Sequence, residues 1–292
     1  IGRVDRATSL SATFSRPRAR HSSALTLGGE LASYEYRTYP ASLLPRLAGG
    51  ALLRTFDRQA VFASLTFSTL QRPSLAVSSE DGVAVAVTQR QRFSAGVNFE
   101  DVAETVVGVT VAKSLPGPGY ARHVLAARGS YGITSHRATT GFGAGGISGG
   151  TLEIVPTVVI GDSRRTFFVR GFEGSALVGV RAAAASVEYR APLALIGRGV
   201  KLLPLFMQKA SATAFADGGG AWCSYPVTGS FLCRGSAISR ATLMSVGGEL
   251  SLDAAVNYDS PYRFRLGVAH PVRGVQFAAR PTTVYFTLGS TF

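Results

Sequence analysis

The sequence lacks any uninterrupted apolar run of about eighteen residues, the length that a membrane-spanning helix requires. Charged residues are also scarce, at 16% of the chain, against about 25% in soluble globular domains. Yet 46% of the residues are hydrophobic, and 34 are glycine. The apolar residues are therefore spread over many short segments, which excludes a helical membrane protein and is unusual for a soluble domain.

Cysteine and histidine are almost absent, and this limits the metal chemistry that the chain can support. The two cysteines, Cys223 and Cys233, lie close together, and in an oxidising compartment they could close a short loop with a disulfide. In the cytosol such a pair would more often be free or bind a metal, but two thiols without a nearby histidine make a poor zinc site. We therefore predict no metal site and no cofactor. The histidines are dispersed at His21, His123, His136 and His270.

Acidic residues are few as well, 17 against 30 lysines and arginines, which gives a net charge of +13. A strongly basic chain can bind nucleic acid, but here the cations are scattered and form neither a dense run nor a reader motif. Arg90 and Arg92, like Arg263 and Arg265, are spaced two apart and so share one face of a strand. We interpret the charge as a polar barrel interior plus basic loops that contact anionic lipid head groups, and we expect no nucleic-acid partner.

An alternation of apolar and polar residues dominates the C-terminal part of the chain. Across 245–258 one face carries Val246 and Leu250, and the other carries Glu249 and Asp253. A period of two is typical of a β-strand with two different faces. Each such segment is about long enough to cross a bilayer as a tilted strand of roughly nine to eleven residues. The same period continues in two further segments, 262–269 and 284–292.

The whole chain divides into about twelve segments of this kind, separated by turn signals, and no helical period competes over a comparable length. This pattern predicts an all-β protein, an antiparallel transmembrane β-barrel formed by one domain that covers 1–292. Closure of the sheet is expected because a long open sheet would expose aggregation-prone edges. The predicted strands are 7–16, 21–36, 49–57, 60–70, 82–93, 104–114, 123–135, 176–195, 210–223, 242–258, 262–270 and 283–292.

One stretch places a cation and a flexible glycine between apolar residues: Val169, Arg170, Gly171 and Phe172. A charge in such a setting needs a partner, because an unpaired buried charge costs several kcal/mol. Two acids lie on the polar faces of the next two predicted strands, Glu188 and Asp217. The period of two also places Phe215 and Gly219 on the same inner face as Asp217. If the long segment of about 137–175 folds into the barrel, Arg170 can reach both acids and stack on Phe215.

The order of these motifs resembles the BamA/TamA-type superfamily, the bacterial surface antigen barrel. Val-Arg-Gly-Phe is followed by Glu-Tyr-Arg, by Phe-x-Asp-x-Gly and by a last strand that ends in Phe292. The resemblance implies a barrel of about sixteen strands with an arginine-tipped inward loop, so that about four strands would lie upstream. It also implies that the last strand, 283–292, is a signal for the assembly machinery. The residues of that signal would be Phe286, Leu288, Gly289 and Phe292.

The resemblance further implies a bacterial outer-membrane protein that contacts lipid or lipopolysaccharide and helps to insert or translocate a client protein or lipid. The early part of the chain looks more like members whose barrel follows a periplasmic β-propeller. No periplasmic substrate-binding domain is visible here, so the alternative is a passive pore or a structural anchor for a periplasmic domain or partner protein. A soluble β-sandwich or barrel that binds a ligand is a third possibility, which the apolar alternation argues against.

A serine within Gly146-Ile147-Ser148-Gly149-Gly150 fits the pattern of a hydrolase nucleophile, G-x-S-x-G. That motif needs a strand before it and a helix after it, with an acid and a histidine later in the chain. Here the surroundings are rich in glycine and no helix is predicted to follow. We therefore predict that the protein is not an enzyme.

Overall fold

The computed structural model describes residues 2–37, 56–94, 101–135, 141–147, 165–200, 203–223, 242–257, 260–274 and 281–290, and all regular elements among them are β-strands. None of the described residues belongs to a helix long and apolar enough to cross a membrane. The strands are β1 Gly2–Pro17, β2 Ser22–Arg37, β3 Phe56–Ser68, β4 Gly82–Ser94, β5 Val102–Leu115, β6 His123–Thr134, β7 Phe142–Ala144, β8 Thr166–Phe167, β9 Leu177–Gly179, β10 Arg181–Val200, β11 Leu203–Trp222, β12 Leu243–Val256, β13 Ser260–Arg273 and β14 Thr283–Ser290.

Eleven strands form one antiparallel sheet in the order β1-β2-β3-β4-β5-β6-β10-β11-β12-β13-β14. Neighbours in the sheet are neighbours in the chain, except that β6 pairs with β10 across the segment that carries Arg170. The register is continuous between β1 and β2, from Gly2 opposite Arg37 to Pro17 opposite Ser22. The all-β antiparallel fold that the period of two predicts is therefore confirmed.

The sheet is strongly curved, as a contact between distant strands shows. Arg263 on β13 donates a hydrogen bond from Nη2 to the backbone oxygen of Val77, at 3.1 Å. Val77 lies in the connection between β3 and β4 and packs against Ala112 on β5 and Ala126 on β6, and β13 is four strands away from β6 in the sheet. In a flat sheet that separation would be about 19 Å, at about 4.8 Å for each strand. An arginine side chain cannot span such a distance, so the sheet curls round until its walls face each other.

The two faces of this sheet have opposite chemistry. On the outer face, large apolar side chains are exposed, Leu10 to 83% and Phe14 to 64%. On the inner face, acids meet arginines: Glu30 on β2 pairs with Arg90 on β4, across β3, and Asp253 on β12 pairs with Arg263 on the adjacent strand β13. An apolar outside and a polar, ion-paired inside is the arrangement of a barrel that faces lipid. Further exposed apolar residues on the strands include Leu25, Leu27, Leu65, Phe67, Val111, Leu125, Val187, Tyr189, Val246, Leu250, Leu266, Val268 and Val284.

About twelve strands were expected, and the described residues hold eleven in the main sheet. The predicted strand at 49–57 falls largely outside the described residues, while Phe56 and Asp57 are the first residues of β3. Five long strands follow the segment that carries Arg170, as the resemblance implies.

A second, small sheet lies inside the curve of the large one. Its order is β8-β7-β9, with β7 parallel to β8 and antiparallel to β9. Its residues pack against the inner faces of β5, β10, β11 and β12, so the described parts of the 137–175 segment lie within the barrel. The buried cluster consists of Val106, Phe142, Ala144, Phe167, Val169, Leu177, Ala182, Ala221 and Leu243.

Candidate functional site

The inward segment turns at Arg170-Gly171, against the inner wall of the sheet. Val169 forms an isolated bridge with Gly146, and the Gly146 amide donates to the carbonyl of Phe172 at 3.0 Å. Gly171 has a φ of +88°, a conformation that a residue with a side chain rarely adopts. A Cβ at Gly171 would also lie only 3.2 Å from that of Ala269. The glycine therefore lets the chain turn close to the wall and aims Arg170 at it.

Asp217 on β11 is the main partner of Arg170. Its carboxylate accepts hydrogen bonds from Nε of Arg170 at 2.7 Å, from Nη2 at 2.7 Å and from the backbone amide of Arg170 at 3.1 Å. Two parallel bonds between a guanidinium and a carboxylate fix both position and orientation, and are stronger than neutral hydrogen bonds. Both side chains are almost fully buried. Asp217 thus holds the backbone and the side chain of the turn at once.

Two further carboxylates on the neighbouring strands complete the site. Glu188 on β10 accepts from Nη2 of Arg170 at 2.8 Å, and Glu249 on β12 accepts from Nη1 at 3.1 Å. Nη2 also donates to the hydroxyl of Ser186 at 3.0 Å. One guanidinium therefore joins three adjacent strands of the wall.

The surrounding charges balance those of the acids. Arg190 donates from Nη2 to Glu188 at 2.6 Å, and Arg128 lies 3.6 Å from the other oxygen of the same carboxylate. The guanidinium groups of Arg170 and Arg190 are the close partners of these carboxylates, and that of Arg128, whose side chain is 42% exposed, lies at the edge of the cluster. Compensating charges of this kind avoid the large cost of an isolated ion in a low dielectric.

An aromatic ring supports the guanidinium from one side. The Cζ atom of Arg170 lies 3.5 Å from the ring centroid of Phe215, a cation–π contact. Phe215 is opposite Gly247 on β12, and its ring covers that glycine. Tyr285 on β14 covers Gly267 in the same way, and its hydroxyl donates to Glu249 at 2.5 Å. Pairing an aromatic residue with a cross-strand glycine stabilises a sheet and fixes its register.

No protein-family model and no curated protein matches this sequence. Solved structures do match, among them the crystal structure of BamA from Haemophilus ducreyi lacking POTRA domains 1–3. The superposition has a TM-score of 0.56 at 13% sequence identity, and it covers 98% of this chain. The fold is that of a BamA-type barrel. The chain spans only 55% of the length of that BamA structure.

In this BamA-type barrel the other residues of the predicted inward-loop site lie beside Arg170. Val169 is fully buried next to Gly219, where an added Cβ would come within 2.7 Å of Val169 Cγ2. Phe172 packs against the buried cluster inside the barrel. The structure therefore brings together the eight residues that sequence reasoning selected: Val169, Arg170, Gly171, Phe172, Glu188, Phe215, Asp217 and Gly219.

Sequence reasoning missed three direct contributors to the site, namely Glu249, Ser186 and Tyr285. Glu249 was already assigned to the polar face of its strand, so its inward direction could be predicted. Its contact with Arg170 could not, since it depends on how far the inward segment enters the barrel. Ser186 is two residues before Glu188, and the same period of two would have found it.

The remaining predicted residues lie away from Arg170. Phe286 and Leu288 are exposed on the outer face of β14, and Gly289 lies near its end. Phe292 lies outside the described residues. Cys223 is buried and disulfide-bonded, and Cys233, the other cysteine of the chain, also lies outside them. Among the described residues, no three metal-binding side chains form a group that could hold an ion.

The contact between Phe215 and Gly247 gives a test of the site that leaves every charge in place. A Cβ at Gly247 would lie 2.5 Å from Phe215 Cζ and would also clash with the backbone oxygen of Val268. We expect Gly247→Ala to displace the ring beneath Arg170 and to destabilise the barrel by about 1–3 kcal/mol, measured by urea unfolding in detergent micelles.

Gly248→Ala is the matched control for this substitution. Gly248 faces outward, and a Cβ there would lie 3.5 Å from the backbone oxygen of Thr213, an ordinary contact. The control should therefore unfold like the parent protein. Equal urea midpoints for the two variants would show that the position of the Phe215 ring does not depend on the absence of a side chain at Gly247.

Proposed function

We propose that this chain is a bacterial outer-membrane barrel that helps to insert or translocate proteins, or lipid, at that membrane. The observation that carries the proposal is the inward segment held to the barrel wall by Arg170. A simple diffusion pore does not need a buried cation with three carboxylate partners across its wall. The BamA-type fold and the exposed apolar outer face support the membrane location.

In this proposal the three strands joined by Arg170 form a rigid part of the wall. Strands β10, β11 and β12 each contribute one carboxylate to the same guanidinium. Any opening of the barrel would then occur elsewhere on its circumference, while the inward segment moves with these strands as one body. No catalytic step is assigned to any of these groups.

The proposed partners follow from the two faces and from the ends of the barrel. The apolar outer face would contact membrane lipid and lipopolysaccharide, and a periplasmic domain or partner protein would deliver a client polypeptide. The last strand would carry the assembly signal, with Phe286 and Leu288 exposed on the outer face. Gly289 and Phe292 would complete that signal.

Depletion of the full-length protein in its native cell tests this function. We expect the amounts of other folded outer-membrane proteins, or of surface lipid, to fall before growth stops. Complementation with the parent gene should restore them, and complementation with an Arg170→Ala variant should not, provided that this variant reaches the membrane. Unchanged levels of all these components would favour a passive pore or a structural anchor for a periplasmic domain.

A further inference from the structure

The barrel has two ends that differ in the length of the chain between strands. At one end the strands are joined by 18–21, 69–81, 116–122, 201–202 and 257–259, and at the other by 38–55, 95–101, 135–180, 223–242 and 274–282. We call them the short-turn end and the long-loop end. Residues 69–81, here named the strap, form the longest connection at the short-turn end. Unlike the exposed turns that usually join strands, the strap lies partly against the inner wall of the barrel.

The strap folds into the barrel instead of projecting from it. Ala76 and Val77 are each only 2% exposed, although both lie between strands, where chain is usually exposed. Val77 packs in a buried cluster with Ala112, Val124 and Ala126 on the inner faces of β5 and β6. Leu75, two residues before Val77, is 50% exposed. The middle of the strap is therefore seated against the wall, with one side left open.

The opposite wall of the barrel holds the strap by its backbone. Lys209 on β11 donates to the carbonyl of Ala76, and Arg263 on β13 donates to the carbonyl of Val77 at 3.1 Å. Asp253 on β12 holds Arg263 in place through two bonds, from Nε at 2.5 Å and from Nη2 at 2.7 Å. The strap thus begins at β3 and β4 and is bonded to strands that face them across the lumen.

Both ends of the strap are fixed to the neighbouring wall. Gln71 and Glu80 exchange backbone hydrogen bonds of 3.1 and 2.7 Å, which close the strap into a loop. Asp81 accepts hydrogen bonds from Lys113 at 2.8 Å and from the amide of Ser114 at 3.2 Å. The hydrogen bond from Lys113 is the main reason that the pKa of the Asp81 carboxyl is lowered to about 2. The base of the strap is therefore anchored, and movement would be confined to 72–79.

We propose that the strap closes the lumen at the short-turn end and must be released before a polypeptide or solute can pass. It spans the mouth from β3 and β4 to β11 and β13, while the Arg170 segment occupies the interior nearer the long-loop end. The two barriers would then act in series. This inference rests only on the part of the proposed function that places the barrel in a membrane, and it needs no client protein.

The two barriers also differ in how they are held. The Arg170 segment is bonded through three carboxylates, whereas the described contacts from β11 and β13 to the strap are made to backbone carbonyls. Bonds to carbonyls can be replaced by water without leaving a buried charge on the strap. The strap is therefore the barrier that is better suited to open and close.

Thiol labelling of purified full-length protein in detergent micelles tests whether the strap is held as described. Val77→Cys should react with a polar maleimide about tenfold or more slowly than Leu75→Cys, because it is buried on the same strap. Adding Lys209→Met, Arg263→Met and Asp253→Asn removes both holding cations and leaves no unpaired acid. The Val77→Cys rate should then approach that of Leu75→Cys. The parent protein gives the background, and circular dichroism checks the fold of each variant.

Conductance in planar lipid bilayers tests whether the strap is a barrier. Replacing 72–79 with a short glycine-serine linker should raise the conductance of the full-length protein several-fold over that of the parent. Unchanged conductance of the linker variant, or fast labelling of Val77→Cys in the parent, would overturn the inference. Neither assay measures client assembly. Unchanged protein and lipid levels after depletion would therefore contradict the proposed insertion function without testing the inference about the strap.

Discussion

Arg170→Ala is expected to release the inward segment from the barrel wall. The substitution removes one cation and leaves Glu188, Asp217 and Glu249 close together, and all three are buried. Removing one partner of a buried ion pair costs about 3–5 kcal/mol, mainly because the other charge stays without compensation. Asp217 and Glu249 both lose the guanidinium of Arg170 that pairs with them, while Glu188 keeps its ion pair with Arg190. The expected effect is therefore at the upper part of that range.

Limited proteolysis in detergent micelles measures this release directly. Even at the lower end of that range, about 3 kcal/mol, the open form of the segment becomes more than about a hundredfold more populated. Cleavage within the inward segment should accelerate accordingly, as long as the segment recloses faster than the protease cuts. Cleavage should accelerate at sites on the inward segment, and its rate should stay unchanged at sites at the short-turn end.

Two further variants separate the charge from its geometry. Arg170→Lys keeps the charge but lacks the planar fork that bonds Asp217 with two nitrogens, so we expect an intermediate cleavage rate. Arg128→Ala is the control, because this arginine lies 3.6 Å from Glu188 and its side chain is 42% exposed. A partly exposed pair contributes about 0–1 kcal/mol. If Arg128→Ala were as damaging as Arg170→Ala, a general loss of positive charge would explain both results.

The strands and their inner faces could be predicted from the sequence because both depend on a local period of two. Phe215, Asp217 and Gly219 are inside and Ala214 and Ala216 are exposed, as alternation requires. Strand boundaries show the limit of such reasoning. Phe56 and Asp57 are predicted to end one strand, yet they begin β3, whose pairing with β2 and β4 sets its start.

The partners of Arg170 could be predicted only in part because they depend on register as well as alternation. Glu188 is opposite Phe215 and Asp217 is opposite Ser186, so these two acids are staggered on adjacent strands. Glu249 is opposite Thr213, four residues from Asp217 along β11. A sequence with many glycines leaves such a register weakly specified. The aromatic rings over Gly247 and Gly267 supply the missing constraint, since each pairs a ring with one particular glycine.

The inward strap could not be predicted by any of these arguments. Its sequence between β3 and β4 contains Pro73, three serines and two acids, and this composition is typical of an exposed turn. It is buried against the inner faces of β5 and β6, and it is held there by Lys209 and Arg263 on strands that are distant in the chain. Only the curvature of the sheet brings those cations to the carbonyls of Ala76 and Val77.

Asp217→Ala should destabilise the docked segment more than Glu249→Ala, although both remove one carboxylate from the same guanidinium. Asp217 accepts three hydrogen bonds, one of them from the backbone amide of Arg170, which is buried. Its loss leaves that amide and Nε without an acceptor and should cost about 3–5 kcal/mol. Glu249 accepts one bond from Arg170 and one from Tyr285, so about 1–3 kcal/mol is expected.

The same proteolysis assay decides this order, and a double variant shows whether the site acts as one unit. Because Asp217 and Arg170 share several hydrogen bonds, Arg170→Ala with Asp217→Ala should cost clearly less than the sum of the single effects. The double variant removes one cation and one anion together, so it leaves less uncompensated charge than either single change. A larger effect of Glu249→Ala would make Glu249 the main partner of Arg170, and additive effects would mean that Arg170 and Asp217 stabilise the turn independently of each other.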